Sequence, residues 1–496
     1  MLDAVSLETN RLPSKKERRV IIMEQQKKLG FLSAFSVAVG LVVASSTLVT
    51  LGQGMGMAGG GFIIAMVAAW FLQYFSAQSF AELTTSLPKS GSLNVYARMA
   101  MGPALGIISI LAGYVYMSFL TVPAELSVAG AVFNGVFAPE FSPALFAFVL
   151  LAIFTIANLL GVDVFAKLQI FLTITMIVSI SILGIIGLTN AGLPVPAVPD
   201  MPFNPMGLSV LGLTALAIWL YIGIEFVCPL VEEIDRPEKN IPLAMTLGLL
   251  VIIVVNILYG FASIKYVAAN ALAASDTPHV IVAQAILGRG GEIWIGLVSI
   301  LATASSVNTF IAVIPRMLYS MAKDGEAPKI FTMIHPRFRT PWVGILIVFA
   351  IYSMLLLLGI AGIEQIMILI LSAATCWLLA YVLTHIVVIV LRYKYPTLKR
   401  PYKTPLYPLP QILGSAGMIY AIWAIWPDVV TKMEIYKYAG VALLVCVIYT
   451  VVWVKFVMKK NLFEPISLEE EMGAEFVREA LKQEAPVKRL NTSTVS

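Results

Sequence analysis

About twelve long apolar runs, joined by short polar segments, occupy most of this 496-residue chain. They lie near residues 31–54, 59–81, 103–133, 144–161, 165–188, 206–231, 242–266, 292–317, 341–360, 363–391, 410–427 and 436–457. A helix crosses the hydrocarbon core of a bilayer with about 20 apolar residues, the length these runs supply. Lipid offers no water to pair with backbone N–H and C=O groups, so a spanning segment must satisfy them within a helix or a closed barrel. Runs this long and unalternating predict helices. The expected fold class is all-α, a polytopic membrane protein of about 12 transmembrane helices. Composition agrees: 59% of the residues are apolar and 12% charged, against roughly 25% charged in soluble proteins. That balance excludes a soluble enzyme, a nucleic-acid binder and a disordered scaffold. Cys228, Cys376 and Cys446 all fall in apolar runs, which argues against a disulfide framework. The stretch Arg11 to Arg19 is polar and basic, so the first apolar helix, rather than a secretory signal, is expected to direct insertion.

An even number of spans puts both termini on one side, and lysine and arginine decide which. With the N-terminus inside, all of the 33 lysines and arginines fall on inner segments except Lys265, Arg289, Lys432 and Lys437. A wrong span count would scramble that partition. The expectation is a multi-pass protein of the cell membrane with both termini cytoplasmic. Its formal net charge of +5 then belongs to inner loops and not to a nucleic-acid surface.

Two spans read poorly as continuous helices. The first contains Gly40-Leu41-Val42-Val43-Ala44-Ser45-Ser46-Thr47, small and hydroxyl-rich at mid-span. The sixth contains Trp219-Leu220-Tyr221-Ile222-Gly223-Ile224-Glu225, with a glycine and a carboxylate at bilayer depth. They stand five spans apart, at corresponding places in two five-helix halves. Interrupted helices at matched positions point to an inverted-repeat transporter with a midplane site; close helix packing by small residues is the plainer reading of either patch alone. An unwound stretch frees backbone groups, and the amide end of a half-helix attracts an anion. Ala44 to Thr47 are therefore expected to hold a carboxylate, Ser45 and Ser46 adding hydroxyls. Carbonyls near Val42, Ile222 and Gly223 would accept from an ammonium group. A zwitterion suits both, and an amino acid is the simplest.

A carboxylate inside a span costs on the order of 2.5–3.5 kcal/mol on insertion scales. Glu125, in Thr121-Val122-Pro123-Ala124-Glu125-Leu126, and Glu225 are the clearest cases. Each reads as a proton-accepting or amine-pairing group, the alternative being a structural glutamate that ties helices together. Glu82 closes the second span as a gating, coupling or helix-end residue. Asp163 and Lys167 open the fifth span as a solvated pair.

In order along the chain, these segments resemble the amino acid–polyamine–organocation permeases over roughly residues 30–460. The likeness is strongest in Gly223-Ile224-Glu225, followed by Glu232-Glu233-Ile234-Asp235-Arg236-Pro237-Glu238-Lys239-Asn240-Ile241-Pro242. Three further motifs agree: Ala81-Glu82-Leu83 with Pro88-Lys89-Ser90-Gly91 and Tyr96, Arg316-Met317-Leu318-Tyr319 to Gly325 with Pro328, and Arg400-Pro401-Tyr402-Lys403-Thr404-Pro405 with Tyr407-Pro408. The resemblance implies a leucine-transporter-like 5+5 inverted repeat plus two extra helices, alternating access and no nucleotide hydrolysis. On that basis residues 1–29 form an N-terminal tail, 30–391 the transport core, 392–460 helices eleven and twelve, and 461–496 a C-terminal tail. The family's Gly-Ser-Gly substrate loop falls on Ala44, Ser45 and Ser46, and its sixth-span site on Ile222, Gly223 and Glu225. Trp219 resembles an aromatic lid, Phe310 a pocket-lining position, and Pro123 to Leu126 a third-span motif of fungal amino acid permeases.

The chain departs from the family as well. Both loop glycines are replaced, by Ala44 and Ser46, and the added side chains are expected to reshape the carboxylate pocket. The fifth-span lysine that stands in for sodium in some members is Met176 here. Ser305 and Ser306 offer oxygens to sodium, but hydroxyls in a span more often bond back to their own helix. His279 is placed on an outer loop, His335 on an inner loop and His385 in the tenth span, and no Cys/His cluster has metal-ligand spacing. No metal or other cofactor is expected. The tail from Ser467 to Lys482 reads as a short, charged, solvated helix.

The function expected is secondary active transport of amino acids by alternating access, by proton-coupled symport or by exchange. The partners are a small solute, the lipid bilayer and protons. An amine permease of the same fold, moving ethanolamine or a polyamine, is the alternative; a non-transporting nutrient sensor is a lesser one.

Overall fold

The computed structural model describes residues 29–199, 201–359 and 366–481. The first span is two helices, α1 (Phe31–Val42) and α2 (Ser45–Ala58). Between them Val43 leaves the helical region and Ala44 is extended, with φ −101° and ψ 168°. The local sequence explains the break. Thr47, in the first turn of α2, accepts the Ala44 N–H at 3.0 Å and donates its hydroxyl to the Ala44 carbonyl at 2.5 Å. A hydroxyl there satisfies the backbone that the break exposes, as the returning half of a capping box does.

A Gly59-Gly60-Gly61 turn leads to α3 (Phe62–Ser86), a short α4 (Leu93–Met101) and α5 (Pro103–Val136), which carries a π-turn over Leu111–Tyr116. Next come α6 (Pro143–Leu159) and α7 (Val162–Thr189). The sixth span is α8 (Gly207–Ile218), a turn through Gly223, and a 3₁₀ segment over Ile224–Leu230. Gly223 has φ 103°, and a Cβ there would lie 2.4 Å from Leu41 Cδ2. Only glycine suits both the left-handed backbone and the close approach of the first span. The chain continues through α9 (Pro237–Tyr266), α10 (Ala269–Ala274) and α11 (Pro278–Lys323), the last bent at Gly288. It ends in α12 (Trp342–Leu357), α13 (Ile366–Lys394), α14 (Leu409–Trp423), α15 (Val429–Met458), α16 (Leu468–Met472) and α17 (Ala474–Leu481).

Among the described residues seven helical stretches are long and apolar enough to cross a bilayer, and shorter apolar helices complete the passes. Twelve passes result when each broken span counts once and Ser45–Ser86 divides at its glycine turn. The all-α reading holds. Large apolar side chains such as Ile153, Phe171, Val254 and Leu444 are exposed on the outside of the bundle, a surface that lipid covers and water would not. Asp163 and Lys167 are exposed, as expected.

Polar groups inside the bundle bond across spans. The Ser305 hydroxyl donates to the Gly40 carbonyl at 2.7 Å, not back to its own helix as expected. Gln169 Nε2 donates to Ser305 Oγ at 2.7 Å, and Asn308 donates to Gln169 Oε1 at 2.8 Å. The exit of α1 is thus held by side-chain donors from the fifth and eighth spans. On the face that bears most of the basic residues, the Leu29 N–H donates to the Glu233 carbonyl at 2.8 Å, and the Asp235 N–H to the Leu29 carbonyl at 2.9 Å. The segment before α1 is thereby fastened to the loop after the sixth span. At the other face the chain folds inward, so that His279 is buried with Nε2 3.0 Å from Ser299 Oγ.

The tail corrects a sequence expectation. Glu471 is buried, and its carboxylate accepts Arg98 Nη2 at 2.6 Å and Lys89 Nζ at 3.0 Å. Leu468 packs in a cluster with Leu83, Leu87 and Tyr96. Arg98, itself buried, also pairs with Asp324 and approaches Glu326. A guanidinium taken out of water needs such partners, and the tail provides one of them. Glu469 and Glu470 are exposed as expected, and Lys482 lies outside the described residues.

Candidate functional site

The two breaks meet. A cavity of about 20 Å³ lies between them, lined by Leu41, Val42, Ala44, Ser46 and Thr47 of the first span and by Trp219 and Ile222 of the sixth. Thr121 and Glu125 of α5, Ser306 and Phe310 of α11, and Trp377 of α13 complete the wall. A space of this size holds about one water molecule, so a solute enters only when the walls part. Glu125 is the ionisable side chain of the lining; no lysine, arginine or histidine lines the cavity among the described residues.

Ser46 sits at the centre of the polar wall. Its N–H donates to Glu125 Oε2 at 3.3 Å, its hydroxyl donates to Glu125 Oε1, and it accepts from Trp219 Nε1 at 2.9 Å. A carboxylate from α5 therefore occupies the amide end of α2, where the half-helix dipole favours negative charge. Ser45 points the other way. Its hydroxyl donates to the Ser299 carbonyl at 2.6 Å and accepts from Thr303 Oγ1 at 2.9 Å, so it fastens α2 to α11 and does not line the cavity. Gly223 also stays out of the lining; its N–H donates to Tyr381 OH at 3.3 Å.

The three acidic candidates stand in different settings. Glu125 faces the cavity. Glu225 is buried behind it, where Oε1 accepts from Trp377 Nε1 at 2.9 Å and Tyr114 OH at 3.3 Å, and Oε2 accepts from Tyr381 OH at 2.8 Å. Those partners come from the third and tenth spans, so Glu225 ties the sixth-span break to both. Glu82 is also away from the cavity, gripped by Arg392 at 2.7 and 2.6 Å with the Thr404 N–H at 2.8 Å. It fastens the end of α3 to the last turn of α13 and to the loop that follows it.

An aromatic shelf floors the cavity. Trp219 and Trp377 meet edge to face at 6.3 Å, and Phe226 lies 5.3 Å from Phe310 and 5.6 Å from Trp377. Sequence reasoning placed Trp219 and Phe310 at the site but not Leu41, Thr121 or Trp377. A tryptophan alone in the middle of an apolar run was a signal for Trp377, since its N–H needs a partner when buried. Tyr114 lies in the π-turn of α5, a feature common at functional sites that no residue type announces.

A family model described as amino acid permease matches residues 29–454. The chain is 24% identical over 409 residues to the serine/threonine exchanger SteT of Bacillus subtilis (strain 168), covering 80% of this chain and 90% of that one. It is 28% identical over 418 residues to the human large neutral amino acids transporter small subunit 2, covering 80% and 76%. In backbone it is similar to Mhp1, a nucleobase-cation-symport-1 family transporter solved in a closed conformation, with TM-score 0.53 and 17% identity, covering 91% of this chain and 97% of that one.

Proposed function

This chain belongs to the amino acid permease family, and from that premise we infer that it carries a small amino acid across the cell membrane by alternating access, coupled to protons. The carrying observation is that two interrupted helices open onto one small cavity at mid-span. The amide end of α2 and Ser46 form the seat for a carboxylate; the carbonyls near Val42 and Ile222 face an ammonium group, although that of Val42 also accepts the Ala44 N–H at 3.0 Å. Trp219, Phe310 and Trp377 wall off the side chain, and Ala44 and Thr47 shape the entrance to the seat. Glu125 takes the coupling proton, because among the acidic candidates it alone lines the cavity. Glu225 and Glu82 act as ties that hold the moving parts in register. Residues 30–391 form the moving core, helices eleven and twelve (392–460) stand beside it, and both termini face the cytoplasm.

The contacts on both faces support a closed arrangement around the site. Leu29 is fastened to Glu233 and Asp235 at one end, and at the other Gln53 Nε2 of α2 donates to the Ser275 carbonyl, ahead of α11, at 3.0 Å. Opening either face means parting one of these sets while the cavity stays in place, which is what alternating access requires.

The test is uptake of labelled neutral amino acids by the purified protein in liposomes, with an imposed proton gradient and, separately, with amino acid loaded inside. Accumulation driven by the gradient is the expected result. Flux of amines alone, with no competition from any amino acid, would move the reading to an amine permease; saturable binding without flux would make the protein a sensor.

A further inference from the structure

We propose that Glu125 is a tethered rival for the substrate's carboxylate: ionised, it fills the amide end of α2 and the cavity takes a carboxylate-free amine; protonated, it yields that seat to a zwitterionic amino acid. This rests on the permease reading and names the substrate form that each protonation state of the site accepts.

The argument is one of donors. At the start of α2 the Ala44 N–H is already taken by Thr47 Oγ1 at 3.0 Å, and the Thr47 and Leu48 amides return to the Ala44 carbonyl. Ser46 supplies an N–H and a hydroxyl facing the cavity, and both go to Glu125. A hydroxyl has one hydrogen to give, so Ser46 cannot donate to Glu125 and to a second carboxylate together. The Trp219 N–H is spent on Ser46 Oγ. An entering carboxylate therefore meets a seat whose donors are occupied by another anion.

Charge points the same way. The dipole at a helix N-terminus is equivalent to roughly half a positive charge, enough for one carboxylate and not two. The groups that face Glu125 from the other spans are the Ser45 and Ser46 amides and the Ser46 hydroxyl of the first, with Thr303, on α11, donating to its backbone carbonyl at 3.2 Å. None carries charge, and no basic residue lines the cavity among the described residues. Two carboxylates sharing the site would repel, and one of them must take a proton. Protonating Glu125 releases the Ser46 donors and turns its own O–H into a donor for the newcomer. Ionised Glu125, by contrast, needs a cation. A primary ammonium group supplies one, and the faces of Trp219, Phe310 and Trp377 suit it as well. The serine is part of the device. A glycine at position 46, as in the family's loop, would have no hydroxyl with which to hold Glu125 across the cavity.

The consequence is opposite pH dependence for two related ligands. Amino acid binding is flat below the Glu125 titration, and above it takes up one proton, so its apparent Kd weakens there by about tenfold per pH unit; amine binding does the reverse, strengthening as pH rises to the titration and levelling off above it. The experiment measures binding of L-leucine and L-serine, and of isopentylamine and ethanolamine, to the full chain in nanodiscs between pH 5.5 and 8.5. Proton uptake per amino acid bound is read by titration calorimetry in buffers of different ionisation enthalpy. The expected result is complementary profiles, with one proton taken up per amino acid on the alkaline side of the titration and one released per amine on the acid side. In Glu125→Gln the amino acid slope flattens and amine binding is lost. Proton uptake is read on the unaltered protein, so the proposal stands open to refutation even where the variant fails to fold. Amino acid binding that ignores pH, or a slope that survives in Glu125→Gln, overturns it. Absence of any amino acid flux would overturn the permease reading instead, so the two failures are distinct.

Discussion

Replacing Glu225 by glutamine separates a tie from a proton carrier. In the structure both carboxylate oxygens accept, from Trp377 Nε1 at 2.9 Å, Tyr114 OH at 3.3 Å and Tyr381 OH at 2.8 Å. The indole nitrogen can only donate, so the glutamine carbonyl must turn toward Trp377 and Tyr114. Its NH₂ then confronts Tyr381 OH, which already accepts from Gln73 Nε2 at 3.2 Å and the Gly223 N–H at 3.3 Å. A hydroxyl has two lone pairs, so one buried donor is left without a partner. That costs about 1–3 kcal/mol, and two bonds to a charged acceptor fall to neutral strength, a loss of about 1 kcal/mol each. Glu225→Gln is therefore expected to destabilise the protein by about 3–5 kcal/mol. The assay is thermal unfolding in detergent, followed by the size-exclusion profile, beside uptake measured across pH. The expected outcome is a lower melting temperature and a slower rate at every pH, with the shape of the pH profile kept. A variant as stable as the parent that has lost its pH dependence would refute this reasoning and return the proton to Glu225, where the sequence alone allows it.

Other outcomes follow from single positions. Gly223→Ala adds a Cβ 2.4 Å from Leu41 Cδ2 at a residue with φ 103°; left-handed backbone costs about 1–2 kcal/mol and overpacking about 1–3. Melting should fall sharply, and a second change, Leu41→Ala, should recover the packing part alone. Glu326, beyond the end of α11, has its carboxyl pushed up to about 7 by burial, against the opposing pull of Arg98 and Asn94. Arg98 Nη1 lies 2.9 Å from Glu326 Oε1 but is not aligned as a hydrogen bond, which fits a charge interaction too weak to offset desolvation. A raised folded-state pKa stabilises the fold below the ordinary carboxylate range and loses that contribution as pH rises toward 7. The unaltered protein should therefore lose stability between pH 5 and 8 relative to Glu326→Gln, as read by melting temperature against pH.

Much of the site was legible because its signals are local. Ala44 to Thr47 break the first span through a threonine that bonds back to the backbone three residues before it. Gly223 breaks the sixth through a conformation other residues resist. Both are written in neighbouring residues. The acidic side chains were equally visible, since a carboxylate in an apolar run stands out at any position. Their roles were not. Glu125 and Glu225 look alike in sequence, yet one faces a cavity and the other faces Trp377, Tyr114 and Tyr381, which are 152, 111 and 156 residues away in the chain. Glu471 is similar: a run of glutamates reads as solvated until Arg98 and Lys89 arrive from the far end of the chain.

The sequence by itself determined the helices, their number and the two places where they break. Bilayer thickness and the backbone's need for hydrogen bonds act along the chain, residue by residue, and leave a pattern that can be read in one dimension. Only the tertiary structure decided which carboxylate faces the cavity. That depends on how the first, third, sixth, eighth and tenth spans are rotated against one another. An apolar helix buried on nearly every side carries no stripe to record its rotation; packing sets it.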